Sequence, residues 1–295
     1  MDFAALQVFK AVVDEGGVSA AARRLHRVQS NITTRIQQLE ASLGTPLFIR
    51  DKRRLVLSPA GELFHGYVEQ LLRLSAQARE AVLGGEPRGT LRIGTLESTA
   101  ASRLPPLLSA YHRRYPGVRV ELTTGTNDAL IEGVLRRRLD AAFVVEAPPT
   151  DRLDTLPTFD EELALVAPKS HGPIRGPRDV RTDTIIAFPT GCAYRRRLMH
   201  WFEQGGGLPE RSLELSSYHA IVACVASGTG VALVPRSVLE TVRGAHELMV
   251  HPLGARAGKV TTCLAWRRNE TSVALNALRA ELAALRKPAR ARRAR

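Results

Sequence analysis

Along the first 58 residues apolar side chains recur at three- and four-residue steps, the period of one face of a helix. Phe3, Leu6, Phe9 and Val13 form the first stripe, which Gly16-Gly17 closes. Ser19 predicts the N-cap of a short Ala-rich helix through Leu25, and after a few turn residues a second helix runs from Gln29 to Glu40. In that helix Ile32, Ile36 and Leu39 fall on one side, and Gln29, Ser30, Thr33, Thr34 and Gln37 on the other. A small-residue helix that lets its neighbour approach, then a helix with a polar outer face, is what a helix-turn-helix requires. Two short extended runs around Arg50, Lys52, Arg53 and Arg54 predict a hairpin wing whose cations suit a phosphate backbone.

From Pro59 to Leu83 the helical period continues, but the stripe narrows to a seam: Leu63, Tyr67, Leu71, Leu74 and Ala78. A rod of about 36 Å at 1.5 Å per residue has more seam than so small an N-terminal block can cover. A partner chain is the expected cover, with packing on the chain's own C-terminal part as the alternative. Gly84-Gly85-Glu86-Pro87-Arg88 reads as a hinge.

Beyond the hinge the pattern alternates between strand and helix. Strands are expected at 91–95, 118–123, 141–145, 184–188, 213–215 and 230–234, and helices at 104–115, 126–138, 193–204 and 218–227. Extended crossings fall at 162–166 and 260–266, and Leu275, Leu278, Leu282 and Leu285 mark a last amphipathic helix. Such alternation predicts an α/β fold of two lobes, about 89–162 plus 265–285 and about 163–264, with a ligand cleft beyond the carboxyl ends of the strands. The expected domains are therefore 1–58, a linker at 59–88, an α/β domain at 89–285 and a tail at 286–295.

Composition narrows the function classes. The 295 residues are 44% hydrophobic and 24% charged, globular values at a length that suits two domains. The net charge is +13, from 42 Lys and Arg against 29 Asp and Glu, but residues 286–295 hold six basic side chains and no acidic one. That tail is expected to be disordered and weakens the high charge as a sign of specific nucleic-acid binding. Cys192, Cys224 and Cys263 form no C-x-x-C pair, and His26, His65, His112 and His171 show no ligand spacing, so no disulfide framework, metal or cofactor is expected. Without a leader-peptide pattern or an apolar run of spanning length, the expectation is a cytoplasmic protein with no membrane contact.

The N-terminal residues carry a more specific signal. Phe9, Ala11-Val12, Ala21-Ala22, Leu25, Gln29, Ile36, Leu39-Glu40, Leu43-Gly44, Leu47-Phe48, Arg50, Leu57-Ser58 and Ala60-Gly61 stand at the spacings of the LysR-type transcriptional regulators, a family that the chain resembles over nearly its whole length. The resemblance implies a winged helix-turn-helix, a dimerising linker helix and an effector domain like a type 2 periplasmic binding protein. It also implies a non-enzymatic homotetramer, a dimer of dimers on an interrupted inverted repeat near a promoter, with RNA polymerase as a further partner. Ser30, Val28 and Thr33-Thr34-Arg35 depart from the commonest family pattern, so base preference does not transfer.

The resemblance places DNA contacts at Gln29, Ser30, Asn31, Thr33, Thr34, Arg35, Arg50, Lys52, Arg53 and Arg54. It places effector contacts at Thr95, Ser98, Thr99, Thr126, Asn127, Cys192, Tyr194, Tyr218 and His219, at helix starts that favour an anionic group. Glu97 and Glu146 follow strands that end at the cleft and suit a cation, while Arg195 suits a carboxylate, a layout that fits an amine or amino acid. The alternative is an ion pair of Glu97 with Arg195 or another Arg across the lobes, with Glu146 a solvated acid. Two rival classes are a solute-binding transport component and a thiol enzyme built on Cys192 with His200 or His219.

Overall fold

A computed structural model describes the chain except residues 52, 53, 84, 85, 271 and 287–295, together with the side chains of 80, 81, 83, 255, 256 and 286. Lys52, Arg53, Gly84-Gly85 and, apart from the backbone of Arg286, the basic tail thus lie outside the described residues. The chain divides into two compact units, Met1–Gly85 and Glu86–Arg295.

The first unit holds α1 (Phe3–Asp14), α2 (Val18–Arg24), α3 (Gln29–Leu43), the hairpin β1 (Phe48–Asp51) and β2 (Arg54–Leu57), and α4 (Pro59–Leu83). Asp2 caps α1 by accepting from the Ala5 amide at 2.7 Å. Helix α2 begins at Val18 behind Gly17, so Ser19 lies inside it and supplies no cap, contrary to the sequence reading. The core gathers Phe9, Ala21, Ala22, Ile32, Ile36, Leu39, Leu47 and Val68, with the rings of Phe48 and Phe64 5.3 and 5.2 Å from that of Phe9.

The second unit contains β3 (Gly89–Thr95), α5 (Glu97–Ser102), α6 (Leu104–Arg114), β4 (Val118–Thr124), α7 (Asn127–Leu135), β5 (Ala141–Val145) and the 16-residue β6 (Leu153–Pro168). There follow β7 (Thr184–Ala187), α8 (Ala193–Gln204), β8 (Arg211–Glu214), α9 (Tyr218–Ala226), β9 (Ala232–Pro235) and α10 (Arg236–Leu239). The chain then adds β10 (Leu248–Pro252), α11 (Gly254–Gly258), β11 (Lys259–Arg267) and α12 (Val273–Arg286). Strands run in the order β10-β6-β11-β5-β3-β4, with β9 also on β6, and β7 pairs with β8.

Two lobes emerge from the way β6 is shared. Its first part pairs with β11 as far as Glu162↔Lys259, and its second part, from Leu163, pairs with β9 and β10. Lobe 1 is the parallel set β4-β3-β5 extended by antiparallel β11 and covered by α6, α7 and α12. Lobe 2 is built on the far half of β6 with β7–β10 and α8–α10, around Ile186, Tyr218, Ile221, Val222, Val225 and Val234. The register of β11 on β6 shifts between Thr262 and Cys263, where Pro157 interrupts the donor pattern and the Thr158 hydroxyl donates to the Thr262 carbonyl at 2.6 Å.

Candidate functional site

In the first unit the site is a helix presented by its neighbours. Ile32, Ile36 and Leu39 root α3 in the core, and its step of 3.6 residues turns Gln29, Ser30, Asn31, Thr33, Thr34, Gln37 and Gln38 to solvent. Val28 stands at the N-cap position and accepts no amide with its side chain, which leaves the start of α3 open. Arg27, Val28, Ser30, Asn31, Thr34, Arg35 and Gln38 line a groove of about 480 Å³. Arg27 and Gln38 were not picked out from the sequence, although a cation just before the second helix was a readable signal. Arg35 lies 3.5 Å from Asp2.

The wing is held to α3 by Glu40, whose Oε1 accepts from the Leu47 and Phe48 amides at 2.7 and 3.1 Å. Phe48↔Leu57 to Asp51↔Arg54 pair antiparallel, leaving Arg50 and Arg54 exposed near the turn. Behind the wing the Ser58 hydroxyl donates to the Pro46 carbonyl at 2.7 Å and accepts from the Gly61 amide at 2.9 Å. On α4, Phe64, Val68 and Leu72 pack on the core, while Leu63, Tyr67, Leu71, Leu74 and Ala78 face outward, Leu63 67% and Leu74 53% exposed.

In the second unit the carboxyl ends of β3 and β5 and the starts of α5, α7, α8 and α9 converge between the lobes. Thr95, Ser98, Thr99, Asn127, Cys192, Tyr194 and Tyr218 are all buried there, Thr126 is half-buried and His219 is exposed. Asn127 Oδ1 accepts from the Val145 amide at 2.8 Å, tying α7 to β5. Desolvation raises the Glu97 carboxyl above the usual range, although the Tyr218 amide donates to it and His219 lies close. Burial likewise pushes the Tyr194 and Tyr218 phenols up, so both stay neutral. The Ser98 hydroxyl lies close to both phenols. Even so, Glu97 Oε2, Ser98 Oγ, Asn127 Nδ2 and the Tyr194 hydroxyl complete no hydrogen bond within the protein.

The ring of charges differs from the sequence reading. Arg195 turns into lobe 2, pairing with Glu214 and donating to the Phe188 carbonyl at 3.2 Å, and so does not pair with Glu97. Glu146, at φ 53°, is engaged by Arg197, whose Nη1 also donates to the Ala257 carbonyl at 3.2 Å. Arg196 reaches across the cleft to Asp128 at 3.1 Å, and the Asp128 amide donates to the Gly191 carbonyl at 3.3 Å. At the hinge, buried Glu161 accepts from Arg103 Nε at 2.6 Å and from the Ser237 hydroxyl at 2.8 Å, with Ser102 3.1 Å from Ser237. Lobe 1 supplies Arg103 and Ser102 and lobe 2 supplies Ser237, so this network ties the lobes through β6. A cavity of about 570 Å³ lies beside α8, lined by Glu146, Arg196, Arg197, His200, Trp201 and Leu253 among others.

Burial also raises the Cys192 thiol, which disfavours the thiolate that a nucleophile needs. No helix among the described residues is long and apolar enough to cross a membrane.

Comparison with known proteins agrees with this division. The family model described as "Bacterial regulatory helix-turn-helix protein, lysR family" matches residues 3–62, and that described as "LysR substrate binding domain" matches residues 84–286. The chain is 38% identical over 278 residues to the HTH-type transcriptional regulator GltR of Bacillus subtilis (strain 168), covering 92% of each chain. It is 36% identical over 270 residues to the HTH-type transcriptional regulator CzcR of Bacillus thuringiensis subsp. konkukian (strain 97-27), covering 91% of this chain and 92% of CzcR. A crystal structure of full-length CbnR complexed with its target DNA superposes with a TM-score of 0.69 at 26% identity, covering 96% of this chain and 99% of that one.

Proposed function

The chain belongs to the LysR family of transcriptional regulators, and on that premise we propose how its parts divide the work. The family consists of regulators rather than enzymes. Helix α3 enters the major groove with Gln29, Ser30, Asn31, Thr33 and Thr34 toward base edges, while Arg35, Arg50, Lys52, Arg53 and Arg54 meet phosphates. Helix α4 pairs with its copy through Leu63, Tyr67, Leu71, Leu74 and Ala78, setting two α3 helices on the half-sites of an inverted repeat. Dimers then join into a tetramer in the cytoplasm, and RNA polymerase is the partner that promoter-proximal binding brings within reach. The inter-lobe cleft takes a small effector on Thr95, Glu97, Ser98, Thr99, Thr126, Asn127, Cys192, Tyr194, Tyr218 and His219. Glu146 and Arg195 act at its edge through their ion pairs.

The observation that carries this reading is the exposed polar row of α3 standing on a fully buried apolar one, with the wing bound to the same helix through Glu40. Operator binding at several salt concentrations tests it. Arg50→Ala should weaken every sequence and flatten the salt slope by about one, whereas Gln29→Ala should lower discrimination at one position and keep the slope. Equal loss of slope in both variants overturns the assignment.

A further inference from the structure

We propose that the effector carries a protonated amine, and that Glu97 is the side chain that selects it. The inference rests on the cleft being the effector site and goes further by fixing the charge of the ligand. An anion would be held by a guanidinium with bonds to spare or by open amides at a helix start. The guanidinium groups around the cleft already have carboxylates: Arg103 has Glu161, Arg195 has Glu214, Arg196 has Asp128 and Arg197 has Glu146. The start of α9 is engaged as well, since the Tyr218 amide donates to Glu97.

What remains open inside is of the opposite character. Glu97 Oε2 is an acceptor shut away from water with no donor facing it. The next residue, Ser98, brings its hydroxyl close to that of Tyr194, on side chains only 3% and 4% exposed and with no further partner. Buried polar atoms without partners are rare and costly, so the free Glu97 oxygen marks the place of a missing donor. A carboxylate oxygen beside hydroxyls that can accept matches an ammonium group.

The test uses the full chain and matched probes that differ in charge: benzylamine, phenethylamine, putrescine and ethanolamine against benzyl alcohol, benzoate and phenylacetate. Thermal stabilisation finds the binders and calorimetry measures them. At least one amine should bind, the carboxylates should not, and Glu97→Gln should weaken that amine about tenfold to a hundredfold, the usual loss for one side of a charge-assisted bond. Stabilisation by no amine, or by one whose affinity survives Glu97→Gln, overturns the proposal. A carboxylate that binds, ignores Glu97→Gln and is lost in Tyr194→Phe and Arg196→Ala also overturns it while keeping the cleft as the effector site. A ligand indifferent to Glu97→Gln, Tyr194→Phe and Arg196→Ala sits elsewhere, and then the cleft reading itself falls.

Discussion

A Cβ placed on Gly61 would stand 2.0 Å from the Leu47 carbonyl oxygen, so the first turn of α4 touches the base of the wing through a bare backbone. Gly61→Ala must push that carbonyl, which also accepts from the Ser58 amide at 2.9 Å. Denaturant unfolding should register a loss of about 1–3 kcal/mol, the usual range for overpacking. Glu97 gives a pH-dependent counterpart. Its folded-state carboxyl holds a proton more tightly than the unfolded one, because desolvation outweighs the Tyr218 amide and His219. Ionisation therefore opposes folding, and the stability lost to it accrues as pH rises above the unfolded value of about 4.3. Without ligand, Glu97→Gln should melt higher than the wild type at pH 7 and alike near pH 4. A variant that melts lower at pH 7 would mean that the bond from Tyr218 dominates. The three successive arginines show why such detail escapes a sequence. Neighbours on a helix point about 100° apart, so Arg195, Arg196 and Arg197 reach three different acids, Glu214, Asp128 and Glu146, on three different elements.

Long elements with one dominant period were legible, as were the four-residue strands β1, β2, β7, β8 and β9, but other short elements were not. Helix α4 and helix α8 begin and end where the period said, because each carries an apolar stripe over at least three turns. Helices α5, α10 and α11 and strand β10 passed unread, being four to six residues long and shaped by tertiary contact. Strand β6 was seen only at 162–166, since Pro157 and the acids Asp160 and Glu161 mask the alternation of its first half. For α4 the period also predicts what lies outside the unit. Its seam is exposed although its other face is buried, so charging Leu71 and Leu74 together should leave folding intact and abolish self-association. Light scattering should report the smaller species, and footprinting should show loss of paired half-site protection. An unchanged oligomer would send the seam back to an intramolecular role.

On the scale of the second unit, the charges that join the lobes include Arg196 with Asp128, Arg197 with Glu146, Arg236 with Glu162, and Glu161 with Arg103 and Ser237. The first is half-exposed and is worth at most about 1 kcal/mol. Glu161 differs because its side chain is only 3% exposed. Glu161→Leu takes the carboxylate away from the Arg103 guanidinium and the Ser237 hydroxyl, and should cost about 2 kcal/mol or more. It should also speed amide exchange along 161–166, where β6 passes from one lobe to the other. Unchanged exchange with lowered stability would make the network a local packing feature rather than a tie between lobes.

The pairing of β5 with β11 has a consequence during synthesis. Val145 faces Thr262 and Ala141 faces Trp266, so lobe 1 encloses all of lobe 2 as an insertion in its own sheet. A ribosome making about 5–20 residues per second needs roughly 6–24 s between delivering one strand and its partner. For that interval β5, buried at every position in the finished protein, has a bare edge of apolar backbone. The nascent chain thus passes through a sticky stage whose length is set by the insertion. Chaperone demand in the cell should follow the time taken to translate lobe 2 more closely than the final stability of either lobe.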